Sequence, residues 1–356
     1  MVSSIEEKLE IAKRLVCANV KALEVGIPVM AGDEAEAIRE ILANIHGARL
    51  IGWNRGKMTD LERSFELGIT SVHIGLPASD FHLERKFQTT RKWLLGAVSE
   101  LVSFAKKNSA WVSVSAEDSG RADPNFLVEY VKHVEGSGAD RIRISDTVGV
   151  LNPFSSYDLF KRLSTTVSIP IQAHLHNDFG LATANTVAAV TGGARHVHVT
   201  VDGMGERAGI ASLEEIVLAL ERHLNVQTGI AKNQLCSLSQ YVARAAGWNL
   251  SPNKAVVGSS VFEHESGIHV EGIMKLSETF EPFAPEVAGT KRRIVIGKHS
   301  GTAALEFALK QEGIVTNRKM LQPLLGTVRK TASEKKRALT FAEVASLFHA
   351  EHKQGS

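Results

Sequence analysis

Short apolar runs alternate with longer amphipathic segments from residue 22 to about residue 201. Each run has the length of a strand and ends at turn residues, whereas the segments between them repeat apolar positions with a helical period. The predicted strands lie at residues 22–28, 49–53, 71–75, 111–115, 141–145, 171–174 and 196–201. The predicted helices lie at residues 34–45, 60–67, 91–107, 124–136, 157–163 and 182–191. Repeated strand–helix units of this kind build a parallel sheet.

Polar residues recur where the predicted strands end. They are Asn54, Arg55, Glu117, Asp118, Asp146, Thr147, His174, His176 and Asp202. In a (β/α)8 barrel this rim carries the active site. An open doubly wound sheet is the alternative architecture, but no glycine-rich phosphate loop follows an early strand.

The number of predicted strands is one short of a closed barrel. The chain opens on a predicted helix at residues 5–16, which leaves no room for an eighth strand before Ser4. After about Leu224 the alternation stops, and the remainder is typical of helices with polar connections. We therefore predict an α/β fold: a TIM barrel lacking its first strand over residues 1–225, then a helical linker and mainly helical C-terminal subdomain over residues 226–356.

Composition narrows the class of protein. The 356 residues are 44% apolar and 22% charged, which is ordinary for a globular enzyme, and the formal net charge is only +2. The charge argues against a broad nucleic-acid-binding face, and no apolar run has the length of a membrane span. The first residues do not form a secretory signal, and the two cysteines, Cys17 and Cys236, lie far apart. We expect a cytoplasmic protein that binds neither nucleic acid nor membrane.

His174 and His176 follow the strand-like run at residues 171–174. Because side chains alternate along a strand, both imidazoles point to one side and can bind one divalent ion. The alternative is two partly buried histidines held by hydrogen bonds. His196 and His198 also share a face, but no Asn-Asp pair follows them as it follows His176, so we favour packing or supporting roles for these two.

Several short motifs stand in a fixed order along nearly the whole chain. They are Leu23-Glu24-Val25-Gly26-Ile27-Pro28, Glu117-Asp118-Ser119, Ser145-Asp146-Thr147-Val148-Gly149, His174-Leu175-His176-Asn177-Asp178, Gly205-Glu206-Arg207-Ala208-Gly209, Ser266-Gly267-Ile268-His269 and Gly297-Lys298-His299-Ser300-Gly301. The ordered set resembles the isopropylmalate synthase and homocitrate synthase family of metal-dependent TIM-barrel acyl-CoA-condensing enzymes. The segments Trp53-Asn54-Arg55 and Leu76-Pro77-Ala78-Ser79-Asp80 favour the homocitrate synthases of the nitrogen-fixation type.

The resemblance implies a Claisen-type condensation of acetyl-CoA with 2-oxoglutarate, followed by thioester hydrolysis to homocitrate and CoA. A divalent ion, with Mn, Mg, Zn, Fe and Co left open, would be bound by His174 and His176. His269 would serve in acid–base catalysis with Glu206 in the same relay. Thr147, Glu117 and Arg55 would contact substrate. The resemblance also implies a homodimer.

Three of these motifs also have ordinary structural interpretations. The alternative for Asp146-Thr147 is a helix cap, that for Glu206-Arg207 is a surface ion pair, and that for residues 298–301 is a plain helix entry.

The chain departs from the family at three places. The family's first strand ends in a motif with an acidic metal ligand and an arginine, and this motif does not precede Ser4. Ile210 stands where many relatives carry a ligating asparagine, although some lysine-pathway homocitrate synthases also have isoleucine. Phe280 stands where a tyrosine is expected.

These departures leave three hypotheses open. The natural start lies upstream of Met1, or the first strand comes from a separate polypeptide, and the two histidines bind metal weakly until that strand is supplied. Alternatively, the chain is a catalytically impaired paralogue that acts as a binding partner. In a third case the chemistry is kept and the oxo acid is pyruvate, 2-oxoisovalerate or a phosphono analogue. We favour the first hypothesis because the other recognisable rim positions are retained.

Overall fold

The computed structural model describes residues 3–108 and 110–353. The chain divides into two compact units, the first ending at Asn249 and the second beginning at Leu250. The first unit contains a parallel sheet with helices on its outer face, and the second is mainly helical. No described helix is both long enough and apolar enough to cross a membrane.

The sheet of the first unit has seven parallel strands in chain order, as the apolar runs predict. They are β1 Ala22–Gly26, β2 Arg49–Arg55, β3 Ser71–Gly75, β4 Trp111–Glu117, β5 Arg141–Asp146, β6 Ile171–Leu175 and β7 His196–Val197. The last strand is much shorter than the predicted run at 196–201. Thr200 instead forms an isolated bridge to Ser212, and a short 3-10 helix follows at Val201–Gly203, in which Asp202 is left-handed with φ of 59°.

Ten α-helices of the described residues belong to the first unit. They are α1 Ile5–Cys17, α2 Gly32–Asn44, α3 Met58–Glu66, α4 Asp80–Arg85, α5 Arg91–Lys107, α6 Pro124–Gly136, α7 Pro153–Ser164, α8 Ala182–Thr191, α9 Leu213–Leu224 and α10 Leu235–Ala245. Capping residues fix several of their starts. Asp123 and Asn152 each accept two backbone N–H bonds at the starts of α6 and α7, where proline follows as the first helical residue.

Side-chain alternation gives the sheet an apolar outer face and a polar inner face. Val72, Ile74, Val112, Val114, Ile142 and Ile144 are fully buried beneath the helices. The opposite face forms a polar lumen, made of Glu24, His73, Ser113, Arg141, Arg143, Gln172, His174 and His198.

One hydrogen bond across this polar lumen shows that the sheet curls. Arg143 of β5 donates to Glu24 of β1 over 2.6 Å, although the two strands are four places apart in the sheet. In a flat sheet four strand spacings amount to about 19 Å. The sheet therefore bends into a half-barrel that brings the carboxyl ends of its strands around one space.

The second unit has its own core. The strands and α-helices of this unit are β8 Glu263–His264, α11 Gly267–Lys275, β9 Arg293–Ile294, α12 Thr302–Gln311, α13 Arg318–Lys335 and α14 Phe341–Lys353. The strands β8 and β9 pair in parallel, and the core is filled by Ile296, Leu305, Leu309, Leu321, Leu324 and Val328. The predicted mainly helical C-terminal region is confirmed.

Glu281 links three parts of the second unit. Its carboxylate is 6% exposed, contacts His264 of β8 over 3.1 Å and accepts two bonds from Arg292, at 2.6 and 2.5 Å. Hydrogen bonding from Arg292 lowers the pKa of Glu281 below its usual value. The carboxylate is therefore charged in the folded unit and stabilises it at neutral pH.

Glu281→Gln is expected to lower the free energy of unfolding by about 1.5–3 kcal/mol at pH 7, because it leaves a guanidinium without its charged partner. A depressed pKa contributes stability above the usual value of the unfolded carboxyl, and this is lost as pH falls through the folded value. When the pH is lowered from 7 to below about 4, the free energy of unfolding should therefore fall less in the variant than in the wild type. Denaturant titrations at both pH values test this. An effect no larger than that of the exposed control Glu278→Gln would contradict it.

Candidate active site

His174 and His176 lie where β6 reaches the carboxyl rim of the half-barrel. Alternation on the strand places both side chains on the lumen side, and their Nε2 atoms are 3.3 Å apart. Burial lowers the pKa of His174 well below its usual value, and burial followed by nearby Arg207 lowers the pKa of His176. Both rings are therefore neutral near pH 7 and have a lone pair to offer.

The spacing of the two nitrogens fits one metal ion. Two imidazole nitrogens at about 2.0–2.1 Å from a tetrahedral zinc ion lie about 3.3 Å apart. Within the described residues, no group of three or more His, Cys, Asp or Glu side chains is disposed to hold a metal ion. The pair thus fits a two-nitrogen chelate, with the other coordination positions left to other donors.

A chain of polar contacts, not all of them hydrogen bonds, supports His174 from inside the polar lumen. Its Nδ1 lies 2.7 Å from Nδ1 of His198, whose Nε2 lies 3.7 Å from Glu24. Glu24 accepts the bond from Arg143, and Arg143 also donates to Gln172 over 2.8 Å. These contacts hold the imidazole of His174 against rotation.

Ile210 lies directly opposite His176 across an isolated antiparallel bridge, and it is 5% exposed. Directly opposed residues of an antiparallel pair project to the same side. The side chain that cannot bind a metal ion therefore stands beside one of the two histidines.

Ile210→Asn is expected to tighten Co²⁺ binding roughly tenfold, because one added amide oxygen contributes about 1.4 kcal/mol. It should also lower the stability of the metal-free protein by about 1–3 kcal/mol, since the buried amide then lacks a partner. Calorimetric titration with Co²⁺ measures the first effect and denaturant unfolding the second. Ile210→Val is the matched control. Unchanged affinity in the asparagine variant would contradict the placement of this side chain.

Glu117 and Thr147 occupy the rim on the two strands before β6. Burial raises the pKa of Glu117, which ends β4. A Cβ on neighbouring Gly75 would lie 2.6 Å from Oε1 of Glu117, so only glycine leaves room for this carboxyl. Thr147 accepts a bond from the backbone N–H of Asp118 over 2.8 Å, which leaves its hydroxyl hydrogen free to donate.

Asp146 and Arg207 stabilise the loops around the same rim by hydrogen bonds. The Asp146 carboxylate accepts the backbone N–H groups of Val150 and Leu151 and so closes the turn after β5. Arg207 binds Asp178 with two hydrogen bonds, at 2.7 and 2.9 Å, rather than pairing with Glu206. Glu206 itself lies exposed on the loop.

Arg55 lies at the end of β2 with its side chain half exposed. Its guanidinium donates to both carboxylate oxygens of buried Asp60, at 2.7 and 2.9 Å. A free nitrogen of the guanidinium remains for a further acceptor, so contact with substrate stays a prediction.

His269 lies in the second unit, in the first turn of α11, and is exposed. Its ring stacks on Phe280, with ring centroids 4.1 Å apart and planes inclined by 23°. Phe280 therefore packs against the predicted acid–base residue without offering it a hydrogen bond.

The polar lumen contains residues that the sequence patterns did not single out as functional. Glu24, Arg143 and Gln172 lie one or two contacts from His174. The sequence signal was present in the run at 141–145, where arginines alternate with isoleucines along the predicted strand. A strand with charge on every second residue faces a polar interior.

The chain is similar to known proteins over nearly its whole length. Residues 1–242 match the family described as HMGL-like, and residues 256–336 match the domain described as homocitrate synthase post-HMGL domain-like. The chain is 46% identical over 342 residues to 2-isopropylmalate synthase 2 of Caldanaerobacter subterraneus, covering 96% of this chain and 89% of the relative. It is 44% identical over 347 residues to homocitrate synthase 1 of Nostoc, covering 98% and 92%. It is 45% identical over 324 residues to 2-phosphonomethylmalate synthase of Streptomyces rubellomurinus, covering 91% and 87%.

Solved structures confirm the TIM-barrel fold class. Hydroxymethylglutaryl-CoA lyase from Pseudomonas aeruginosa aligns with a TM-score of 0.62 at 21% identity, covering 70% of this chain and 88% of the lyase. The carboxyl transferase domain of Rhizobium etli pyruvate carboxylase aligns with a TM-score of 0.58 at 18% identity, covering 68% of this chain and 44% of that one. At these identities the likeness concerns the fold alone.

The chain belongs to the isopropylmalate synthase and homocitrate synthase family, the acyl-CoA-condensing synthases of the HMGL-like class. The predicted family is confirmed, and it is a family of enzymes that use acetyl-CoA and a 2-oxo acid. Enzymes of the HMGL-like class generally depend on a divalent metal ion.

Proposed function

We propose that this protein is a homocitrate synthase, which condenses acetyl-CoA with 2-oxoglutarate and hydrolyses the thioester to release homocitrate and CoA. The similarity to homocitrate synthases of Nostoc and Frankia supports this proposal, as do the motifs of the nitrogen-fixation branch. We also propose that it acts in the cytoplasm as a homodimer and supplies nitrogenase cofactor synthesis.

The observation that carries the proposal is the 3.3 Å spacing of two neutral imidazole nitrogens at the carboxyl rim of the sheet. His174 and His176 would hold a divalent ion, which when bound polarises the keto group of the 2-oxo acid. The free hydroxyl hydrogen of Thr147 would donate to a substrate carboxylate. Arg55 would offer one of its remaining guanidinium N–H groups to the same substrate.

The remaining proposed roles are proton transfer and one further contact with the substrate. His269 would remove a proton from the acetyl methyl group, with Glu206 in the same relay. Glu117, whose pKa is raised by burial, would contact the substrate at the same rim. Each role assigns one step to a side chain with the required donor or acceptor.

The test is release of CoA thiol from acetyl-CoA with a panel of oxo acids, using the natural polypeptide and added Mn²⁺. Homocitrate synthase activity requires kcat/KM for 2-oxoglutarate to exceed that for pyruvate and 2-oxoisovalerate, and homocitrate must be the product by mass spectrometry. Removal of the metal by chelation should abolish turnover. Absence of thiol release with every acid would instead support the catalytically impaired paralogue.

A second candidate function is 2-isopropylmalate synthesis from 2-oxoisovalerate. The 46% identity to the enzyme of Caldanaerobacter favours it, because the identity to the homocitrate synthases of Nostoc and Frankia is 44% and 43%. Highest kcat/KM for 2-oxoisovalerate in the same panel would establish it.

A further inference from the structure

The contact between His174 and His198 restricts where their protons lie. The two Nδ1 atoms are 2.7 Å apart, and a hydrogen bond at that distance requires one N–H and one bare nitrogen. Either His174 donates to His198 or the reverse. The direction decides whether the opposite nitrogen of His174 is free to bind a cation.

The surroundings of His198 select the direction. Its Nε2 faces the carboxylate of Glu24 at 3.7 Å, and a carboxylate favours an N–H on the side that it faces. Glu24 is held in place by Arg143, whose side chain is 4% exposed. With its proton on Nε2, neutral His198 presents a bare Nδ1 to His174.

We propose that His198 is a positioning residue, which accepts a hydrogen bond from Nδ1–H of His174 and thereby keeps Nε2 of His174 bare for a divalent cation. The part that concerns the cation rests on the proposed function, whereas the proton arrangement does not. The linear order is Arg143, Glu24, His198, His174 and then the cation, each group fixing the orientation of the next.

The geometry also excludes His198 as a third ligand beside His174 through the facing nitrogens. Two nitrogens bound to one ion lie about 3.3 Å apart, whereas these two are 2.7 Å apart. The rings of His174 and His198 stack, with centroids 5.0 Å apart and planes inclined by 27°, while the pair with the ligand spacing is His174 and His176.

The first experiment uses metal-free protein with ¹⁵N-labelled histidine rings at pH 7.5. Ring nitrogen chemical shifts identify which nitrogen carries the proton. The expected result is His174 protonated on Nδ1 and His198 protonated on Nε2. A proton found on Nε2 of His174 would overturn the proposal whatever the protein binds.

The second experiment compares two substitutions by titration with Co²⁺ alone. His198→Asn keeps an acceptor near the position of Nδ1, and we expect its affinity to stay within about threefold of the wild type. His198→Leu removes the acceptor and should weaken Co²⁺ binding roughly 10–100-fold, the usual cost of losing such a supporting contact. Equal loss in both variants would overturn the proposal.

Two controls separate the possible failures. X-ray absorption of the Co²⁺-loaded wild type should count two imidazoles, and three would overturn the positioning role in favour of a third ligand. If the wild type binds no Co²⁺ at millimolar concentration, the proposed two-histidine metal site of this chain fails, while the proton positions still decide the role of His198. If His198→Leu does not fold, the position of the ring proton of His174 in His198→Asn is the deciding measurement. A His174 ring without a proton on Nδ1 in that variant would overturn the proposal.

Discussion

His176→Gln is expected to lower kcat/KM for the condensation roughly 10³-fold or more. The two imidazole nitrogens have the spacing of one chelate, so in the proposed site the loss of either would leave a single neutral ligand on the ion. A Lewis acid at a developing alkoxide contributes several kcal/mol, and each 1.4 kcal/mol is about tenfold in rate. Steady-state thiol release at fixed Mn²⁺ measures the loss.

The same variant should recover part of its activity as Mn²⁺ is raised, because weakened binding is offset by mass action. Its thermal unfolding should differ little from that of the wild type, since His176 lies at the rim and Nδ1 has no hydrogen-bond partner among the described residues. His46→Gln, on an exposed loop between α2 and β2, is the control. Unchanged Mn²⁺ affinity with unchanged activity would contradict a ligand role for His176.

His269→Gln is expected to lower kcat roughly 10²–10⁴-fold, the usual contribution of a positioned general base. The KM values should change far less, because the proton transfer occurs only in the transition state. A second measurement isolates that step: exchange of the acetyl-CoA methyl protons with deuterium should disappear in parallel. His349→Gln alters another exposed histidine of the same unit, on α14, and should change neither quantity.

The outcome for His269 also tests its contact with Phe280. The stacked ring offers no hydrogen-bond acceptor, so any base function must come from the imidazole and its other neighbours. Full proton exchange in His269→Gln would assign the base to a different residue and leave His269 a packing role.

Much of the first unit could be predicted because its periodicities are local. The strand and helix periods place β2 to β6 within two residues of their observed bounds, and α5, α6 and α8 have the predicted limits. The His174–His176 face follows from the same alternation. The shortening of β7 was not predictable, because it depends on Thr200 pairing with Ser212 across a loop.

Local sequence periodicity does not predict the contacts that depend on the curvature of the sheet. Glu24 and Arg143 are 119 positions apart and meet only because the sheet bends. The pairing of Arg55 likewise depends on tertiary structure, because its partner Asp60 lies in the first turn of α3. The carboxylate next to Arg207 in sequence is Glu206, yet the structure pairs Arg207 with Asp178.

The polar lumen has a consequence for how this protein tolerates amino-acid change. Removing Glu24 leaves the buried guanidinium of Arg143 without its charged partner, and removing Arg143 does the same to the carboxylate. Each single loss therefore lowers the free energy of unfolding by about 3–5 kcal/mol. Exchanging both for well-packed apolar residues is often close to neutral for stability. Substitutions at these two sites are therefore epistatic, and sequences diverging from this one are expected to keep both charges or to lose them together.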